Sequence, residues 1–182
     1  ESRPGANRSD EVIRKHKEYL WPAVANFYQR PLAVDRGQMQ YIWDLEGRKY
    51  LDFFGGILTI SVGHANPKVT GRIKAQVDRL QHTSTLYPNE QIVNLAEKVA
   101  QIAPGALQKS WFSNSGTEAN EAAVLLARMA TDSYDVVALR HAYSGASALT
   151  KSVTGVSSYR KGGVIAVGVA HAINPYCYRC PL

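Results

Sequence analysis

Cysteine is nearly missing from this chain. Only Cys177 and Cys180 occur among 182 residues, both at the extreme end, so no disulfide framework holds the fold. That favours a reducing compartment, and the expectation is a cytoplasmic protein or a mitochondrial one. Cys177-x-x-Cys180 could supply half a zinc site or a redox pair, but His141 and His171 are the only other candidate ligands and lack motif spacing, so no metal is expected. No apolar run reaches the roughly 18 residues of a membrane span, and no signal-peptide core is present. Blocks of like charge are also missing. Lys and Arg number 21 against 15 Asp and Glu, a net charge of +6, yet the basic residues are scattered. Nucleic acid is therefore not expected; an anionic cofactor or substrate is a milder explanation, and a charge balance distorted by truncation is milder still. Neither G-x-x-x-x-G-K-[ST] nor G-x-G-x-x-G follows any strand-like segment, which weakens a nucleotide-binding module. Internal repeats and low-complexity tracts are lacking too. The first residue is Glu1 rather than Met, so the natural start is expected to lie upstream.

What is present fits a globular protein, with 45% hydrophobic and 20% charged residues. Glu1 to Ser9 is polar and expected to be loosely attached. Asp10 can cap a helix to about Tyr19, ended by Trp21-Pro22. Leu32 to Val34, Gln40 to Asp44 and Lys49 to Phe53 read as strands of a small antiparallel unit, with a turn at Glu46-Gly47-Arg48. Gly55-Gly56 marks a bend or a close backbone approach. Gly63 to Pro67 is a turn, in which His64 reads as a turn residue, and Pro67 suits the first position of a helix carrying Val69, Ile73 and Val77. A further helix opens at Asn89 or Glu90 and stops near Pro104-Gly105. Ser147 to Val153 reads as a short helix, and Val164 to Val169 as an apolar, extended stretch.

Phe112-Ser113-Asn114-Ser115-Gly116-Thr117-Glu118-Ala119-Asn120-Glu121 is the most informative stretch. Lys109 to Phe112 reads as the end of a buried strand. Ser115 and Glu118 have capping-box spacing, and a helix with small apolar residues should run from there to about Ala130. A second strand follows at Asp135 to Arg140. The expected result is a strand–helix–strand unit over 109–140, its loop at the carboxyl end of the first strand. Gly116, two hydroxyls and the free amides of a helix start together suit a phosphate. They also make an ordinary N-cap, and spacing alone does not choose.

Taken together, several segments resemble the class III (omega) aminotransferases, which use pyridoxal phosphate. The resemblance rests on Tyr50-Leu51-Asp52-Phe53 with Gly55-Gly56-Ile57, on Gly63-His64 with Pro67, and on His82-Thr83-Ser84-Thr85-Leu86-Tyr87. It continues through Ser113 to Glu121 and Ala142-Tyr143-Ser144-Gly145, covering nearly the whole chain in order. The branch closest in look is that of alanine–glyoxylate aminotransferase-like enzymes. The implied fold is α/β, of the aspartate aminotransferase-like fold type I of pyridoxal-phosphate-dependent transferases. Residues 1–66 would be an N-terminal segment and small α+β lobe, and residues 67–182 the first part of an incomplete large domain.

The resemblance implies that Ser115, Gly116 and Thr117 hold the phosphate of pyridoxal 5'-phosphate. It implies that Tyr143 stacks on the pyridine ring, with Ser144 standing where the family usually carries His. Ile57, Leu86 and Tyr87 match positions lining the substrate mouth, although core or turn packing is an equal reading of those three. The implied partners are an amino acid or amine donor, a 2-oxo acid acceptor and a second copy of the full-length chain as a homodimer. Such enzymes also need a Schiff-base lysine and an acidic partner for the pyridinium nitrogen, both far downstream of the Tyr143 segment. Lys109, Lys151 and Lys161 do not stand in the family's lysine motif. The expectation is an N-terminal part of a transaminase, inactive by itself. A non-catalytic product keeping this half, or an aminomutase or decarboxylase on the same scaffold, would share the same features.

Overall fold

The computed structural model describes residues 7–24, 26–162 and 166–180. Its contacts divide into two units, Glu1–Tyr87 and Pro88–Leu182. The division of lobes at 66/67, drawn from the change in periodicity, stays a proposal about a complete enzyme.

In the first unit, α1 spans Arg8–Tyr19. Its cap is Asn7, whose side chain accepts from the Asp10 amide at 2.9 Å; Asp10 was expected to cap and instead lies inside the first turn. Either side chain can cap, but an N-cap must bond the amide two or three residues on, and Asn7 reaches it first. The loosely attached segment expected at 1–9 is thus ordered from Asn7 onward, and residues 1–6 lie outside the described residues. Ser9 ties α1 to the sheet, its amide donating to Glu46 Oε1 at 3.1 Å.

Strands β1 (Val34–Gln38), β2 (Tyr41–Asp44) and β3 (Lys49–Leu51) form an antiparallel sheet in the order β1-β2-β3; the antiparallel unit is as expected, but its first strand lies at 34–38 rather than 32–34, where the β2 partner residues are. The tight turn between β2 and β3 is built on Asp44. This carboxylate is 1% exposed and accepts from the amides of Glu46 and Arg48, from Arg48 Nε and from the Tyr50 hydroxyl, at 2.7 to 3.0 Å. Four donors on one carboxylate satisfy its lone pairs, which is what makes its burial tolerable.

After β3 comes one turn at Gly55–Leu58 (α2). It is wound left-handed, with φ of 53° at Gly55 and 61° at Gly56, Ile57 and Leu58. Glycine adopts this freely, but an L side chain pays about 1–2 kcal/mol per residue. Helix α3 (Pro67–Arg79) follows, capped by Asn66 with Pro67 in its first turn.

The second unit opens with α4 (Glu90–Ile102), capped by Asn89, followed by α5 (Gly116–Thr131), capped by Ser115. Then come β4 (Val136–Leu139), α6 (Ala148–Val153) and β5 (Val169–Ala172). The expected strand–helix–strand unit over 109–140 does not form. Residues 109–113 carry no ladder, and Trp111 and Phe112 are exposed. The parallel partner of β4 is β5, with Val136 opposite Val169 and Leu139 opposite Ala172. A strand exists only where a neighbour takes its amides and carbonyls, and no described segment offers that ladder to 109–113. Of the apolar stretch expected at 164–169, Val164 and Ile165 lie outside the described residues, and Val169 begins β5.

Candidate functional site

Ser115 and the first turn of α5 lie against the loop that leaves β4. Two side chains of α5 make the junction. Asn120 Nδ2 donates to the Ser144 carbonyl at 2.8 Å, and Thr117 Oγ1 accepts from the Ala146 amide at 3.3 Å. A third link runs from the Ser147 hydroxyl to the Glu121 carboxylate. Residues 117, 120 and 121 sit three to four apart, so one helix face presents all three.

From below, α6 holds the same loop. Thr154, fully buried, accepts from the Ser144 amide at 2.9 Å and donates to the Thr150 carbonyl at 2.9 Å. Thr150, equally buried, closes a capping box with Ser147. Gly145 passes between these hydroxyls at φ +139°. A Cβ there would stand 2.5 Å from Thr150 Oγ1 and 2.7 Å from Thr117 Oγ1, so any side chain would force one of these neighbours or the loop to move.

At the helix start the capping box forms only by half. Ser115 Oγ accepts from the Glu118 amide at 3.2 Å, whereas the Glu118 carboxylate takes the amide of Asn114, at 2.6 Å, rather than that of Ser115. The amides of Ser115, Gly116 and Thr117 find no acceptor among the described residues. Nothing lies within 4 Å of where a Gly116 Cβ would stand. Unspent amides at the positive end of a 16-residue helix, beside open space, fit a phosphate group.

Tyr143 enters the same region from the loop. Its ring meets Tyr159 edge-on, centroids 5.3 Å apart and planes at 67°. It remains 60% exposed, which leaves ring surface for a planar partner. The second unit thus sets the helix start that holds Ser115, Gly116 and Thr117 against the loop that carries Tyr143 and Ser144. Ile57, Leu86 and Tyr87 belong to the first unit, where all three side chains are exposed. Sequence reasoning passed over Asn120, Glu121, Thr150 and Thr154 as site residues. For the first two the helical spacing from Thr117 was the available signal; for the threonines there was none beyond their i, i+4 separation.

No group of three His, Cys, Asp or Glu among the described residues is placed to hold a metal ion. Cys177 and Cys180 are free and exposed. Among the described residues no helix is long and apolar enough to cross a membrane.

A model of the family "Aminotransferase class-III" matches residues 23–177. The chain is 42% identical over 171 residues to alanine–glyoxylate aminotransferase 2 homolog 2, mitochondrial, of Arabidopsis thaliana, covering 94% of this chain and 36% of that protein. Among solved structures, an (S)-enantioselective omega-transaminase from Thermomicrobium roseum superposes with a TM-score of 0.83 at 29% identity, over 96% of this chain and 42% of its own. The taurine:2-oxoglutarate aminotransferase of Bifidobacterium kashiwanohense, solved in complex with PLP and glutamate, gives 0.83 at 25% identity, over 95% and 40%. The chain therefore spans about two fifths of the proteins it matches. These likenesses bear out the expected α/β fold class, although the 109–140 unit is not formed as expected.

Proposed function

The chain belongs to the class-III aminotransferases, and from that premise we propose that it carries the phosphate cup and ring platform of a pyridoxal-phosphate-dependent transaminase. The family is pyridoxal-phosphate dependent. When bound, the cofactor supplies an electron sink through which an amino group passes between an amino acid or amine and a 2-oxo acid. The observation that carries the reading is the Asn120–Ser144 junction, 2.8 Å long, which sets the loop of Tyr143 against the free amides of α5.

Each residue then has a task. The amides of Ser115, Gly116 and Thr117 donate to phosphate oxygens, and the Ser115 and Thr117 hydroxyls have protons left to give. The helix dipole favours the dianion. Tyr143 offers its ring face to the pyridine, and Ser144 replaces a bulkier imidazole at the pocket edge. Ile57, Leu86 and Tyr87 line the substrate mouth in this reading. The covalent lysine and the acidic partner of the pyridinium nitrogen are assigned outside these 182 residues, because no lysine present has the expected sequence context. The working assembly is a homodimer of the complete enzyme, in the cytoplasm or, as the name of the Arabidopsis relative says of that protein, in mitochondria.

The test is Gly116→Val in the complete enzyme. Open space at the Cβ position means that the protein itself tolerates the side chain. A lost charged hydrogen bond is worth about 1.5–3 kcal/mol, so cofactor retention should fall about tenfold or more on dialysis while the melting temperature without cofactor barely moves. Undiminished retention would move the cup elsewhere. The 182-residue chain alone, mixed with cofactor, should transfer amino groups no faster than free cofactor does. Turnover well above that level would refute the placement of the lysine.

A further inference from the structure

Ile57 and Leu58 occupy a backbone region that L residues avoid, and for the β-branched Ile57 the departure is the more unusual. Their side chains are 71% and 81% exposed, so no packing among the described residues forces them there. Strain of this kind persists only where surrounding structure imposes it, and it gathers at functional sites.

Asp52 holds the entry to this turn. Its Oδ1 accepts from the amides of Phe54 and Gly55, each at 2.9 Å, and its Oδ2 lies 2.7 Å from His64 Nε2. His64 is itself fixed three ways. Its backbone bridges to Met39, with the Met39 amide 2.7 Å from the His64 carbonyl and the His64 amide 2.8 Å from that of Met39. Its imidazole is held by the carboxylate. It lies over Gly37 of β1, where a Cβ would stand 2.7 Å from His64 Cβ and Cγ. A cavity of about 290 Å³ opens alongside, lined in part by Asp52, Gly55, Ile60 and His64. The turn therefore has room to relax if it is released.

We propose that Asp52 and His64 are positioning residues for the substrate mouth: the carboxylate–imidazole pair holds the left-handed turn so that Ile57 and Leu58 project as a fixed apolar wall against the carbon skeleton of the amino donor. The proposal rests on the reading of Ile57 as a mouth residue. It extends that reading from one side chain to the device that orients it, and to Leu58 beside it. The pair works through the turn and touches neither cofactor nor reacting atoms.

The experiment uses the complete, cofactor-loaded enzyme with Asp52→Ala, His64→Ala and the near-isosteric Asp52→Asn. Gly37→Ala serves as a variant that displaces the imidazole without replacing either residue of the pair. Two quantities are read: hydrogen exchange of the Phe54 and Gly55 amides, and KM and kcat for amino donors with short and long apolar side chains. Asp52→Ala should speed exchange of both amides about tenfold or more. It should raise KM for the long donor about fivefold while kcat stays within about twofold, the pattern of lost binding common to ground and transition states. Asp52→Asn keeps an acceptor for the two amides and should show smaller effects. Adding Ile57→Ala to Asp52→Ala should cost little more, because the wall is already misplaced.

Unchanged exchange in both Asp52→Ala and His64→Ala would overturn the lock. Faster exchange with unchanged KM for every donor would overturn the link to the mouth. If Ile57→Ala and Leu58→Ala alone change no KM, the proposal falls through its premise about the mouth. The cup reading would stand apart from that result, since its own test is cofactor retention in Gly116→Val. Should Asp52→Ala fail to fold, His64→Ala, Asp52→Asn and Gly37→Ala carry the same two readouts and decide the matter.

Discussion

At the scale of single residues, carboxylates do much of the positioning in the first unit, and Asp44 is the clearest case. Its burial alone would raise its pKa, but the Arg48 amide, the Tyr50 hydroxyl and the Arg48 guanidinium outweigh burial and hold it below the usual carboxylate range. Asp52 is lowered in the same sense, by His64 first and by the Gly55 amide. A folded-state pKa below the unfolded one means that the folded state prefers the ionised form. The resulting stability is fully present above the ordinary carboxylate value near about 4, and is lost as pH falls through the lower folded value. Melting temperature should therefore drop on acidification from about pH 5 to pH 3. Asp44→Asn should lower it at neutral pH and make the acid drop shallower. A variant as steep as the wild type would show that Asp44 does not contribute.

At the scale of elements, the loop between β4 and α6 is held from two sides, by α5 through Asn120 and Thr117 and by α6 through Thr154. Gly145 is the point at which both grips close. Gly145→Ala puts a methyl group 2.5 Å from Thr150 Oγ1 and 2.7 Å from Thr117 Oγ1, and a backbone at φ +139° resists any side chain. Relaxation must move either α6 or the loop that carries Tyr143 and Ser144. The expected outcome is a loss of about 1–3 kcal/mol in stability together with weaker cofactor retention. The check is thermal melting beside a cofactor dialysis, and an Ala variant that keeps both would show the loop to be free of these grips.

At the scale of the whole molecule, 182 residues leave much apolar surface uncovered. The apolar stripes of three helices are part of this surface: Val69, Ile73 and Val77 on α3, Ile92, Val93 and Leu95 on α4, and Leu125, Leu126 and Met129 on α5 are all exposed. Such stripes mark surfaces that other protein covers. The chain made alone should self-associate and bind a hydrophobic dye, whereas the complete enzyme should sediment as a dimer. A compact, stable monomer of the chain's own mass in sedimentation would contradict this.

Across these scales, the sequence by itself determined whatever depends on neighbours within about four residues. The caps at Asn89 and Ser115, the Pro67 start, the antiparallel strands around Gly47 and the glycine bend at Gly55-Gly56 follow from φ preferences and side-chain reach. The order of short motifs likewise carried the family, because those motifs are contiguous. Tertiary structure alone decided who pairs with whom. Residues 109–113 and 136–139 both read as strands in the sequence, yet only the second finds a ladder, in 169–172, since a parallel strand draws its stability from a partner distant in sequence. The same holds for Thr154 under Ser144 and for His64 against Asp52 and Gly37. Each residue type there has many ordinary uses, and only the fold, by bringing residues 10 to 27 positions apart into contact, selects the one it has.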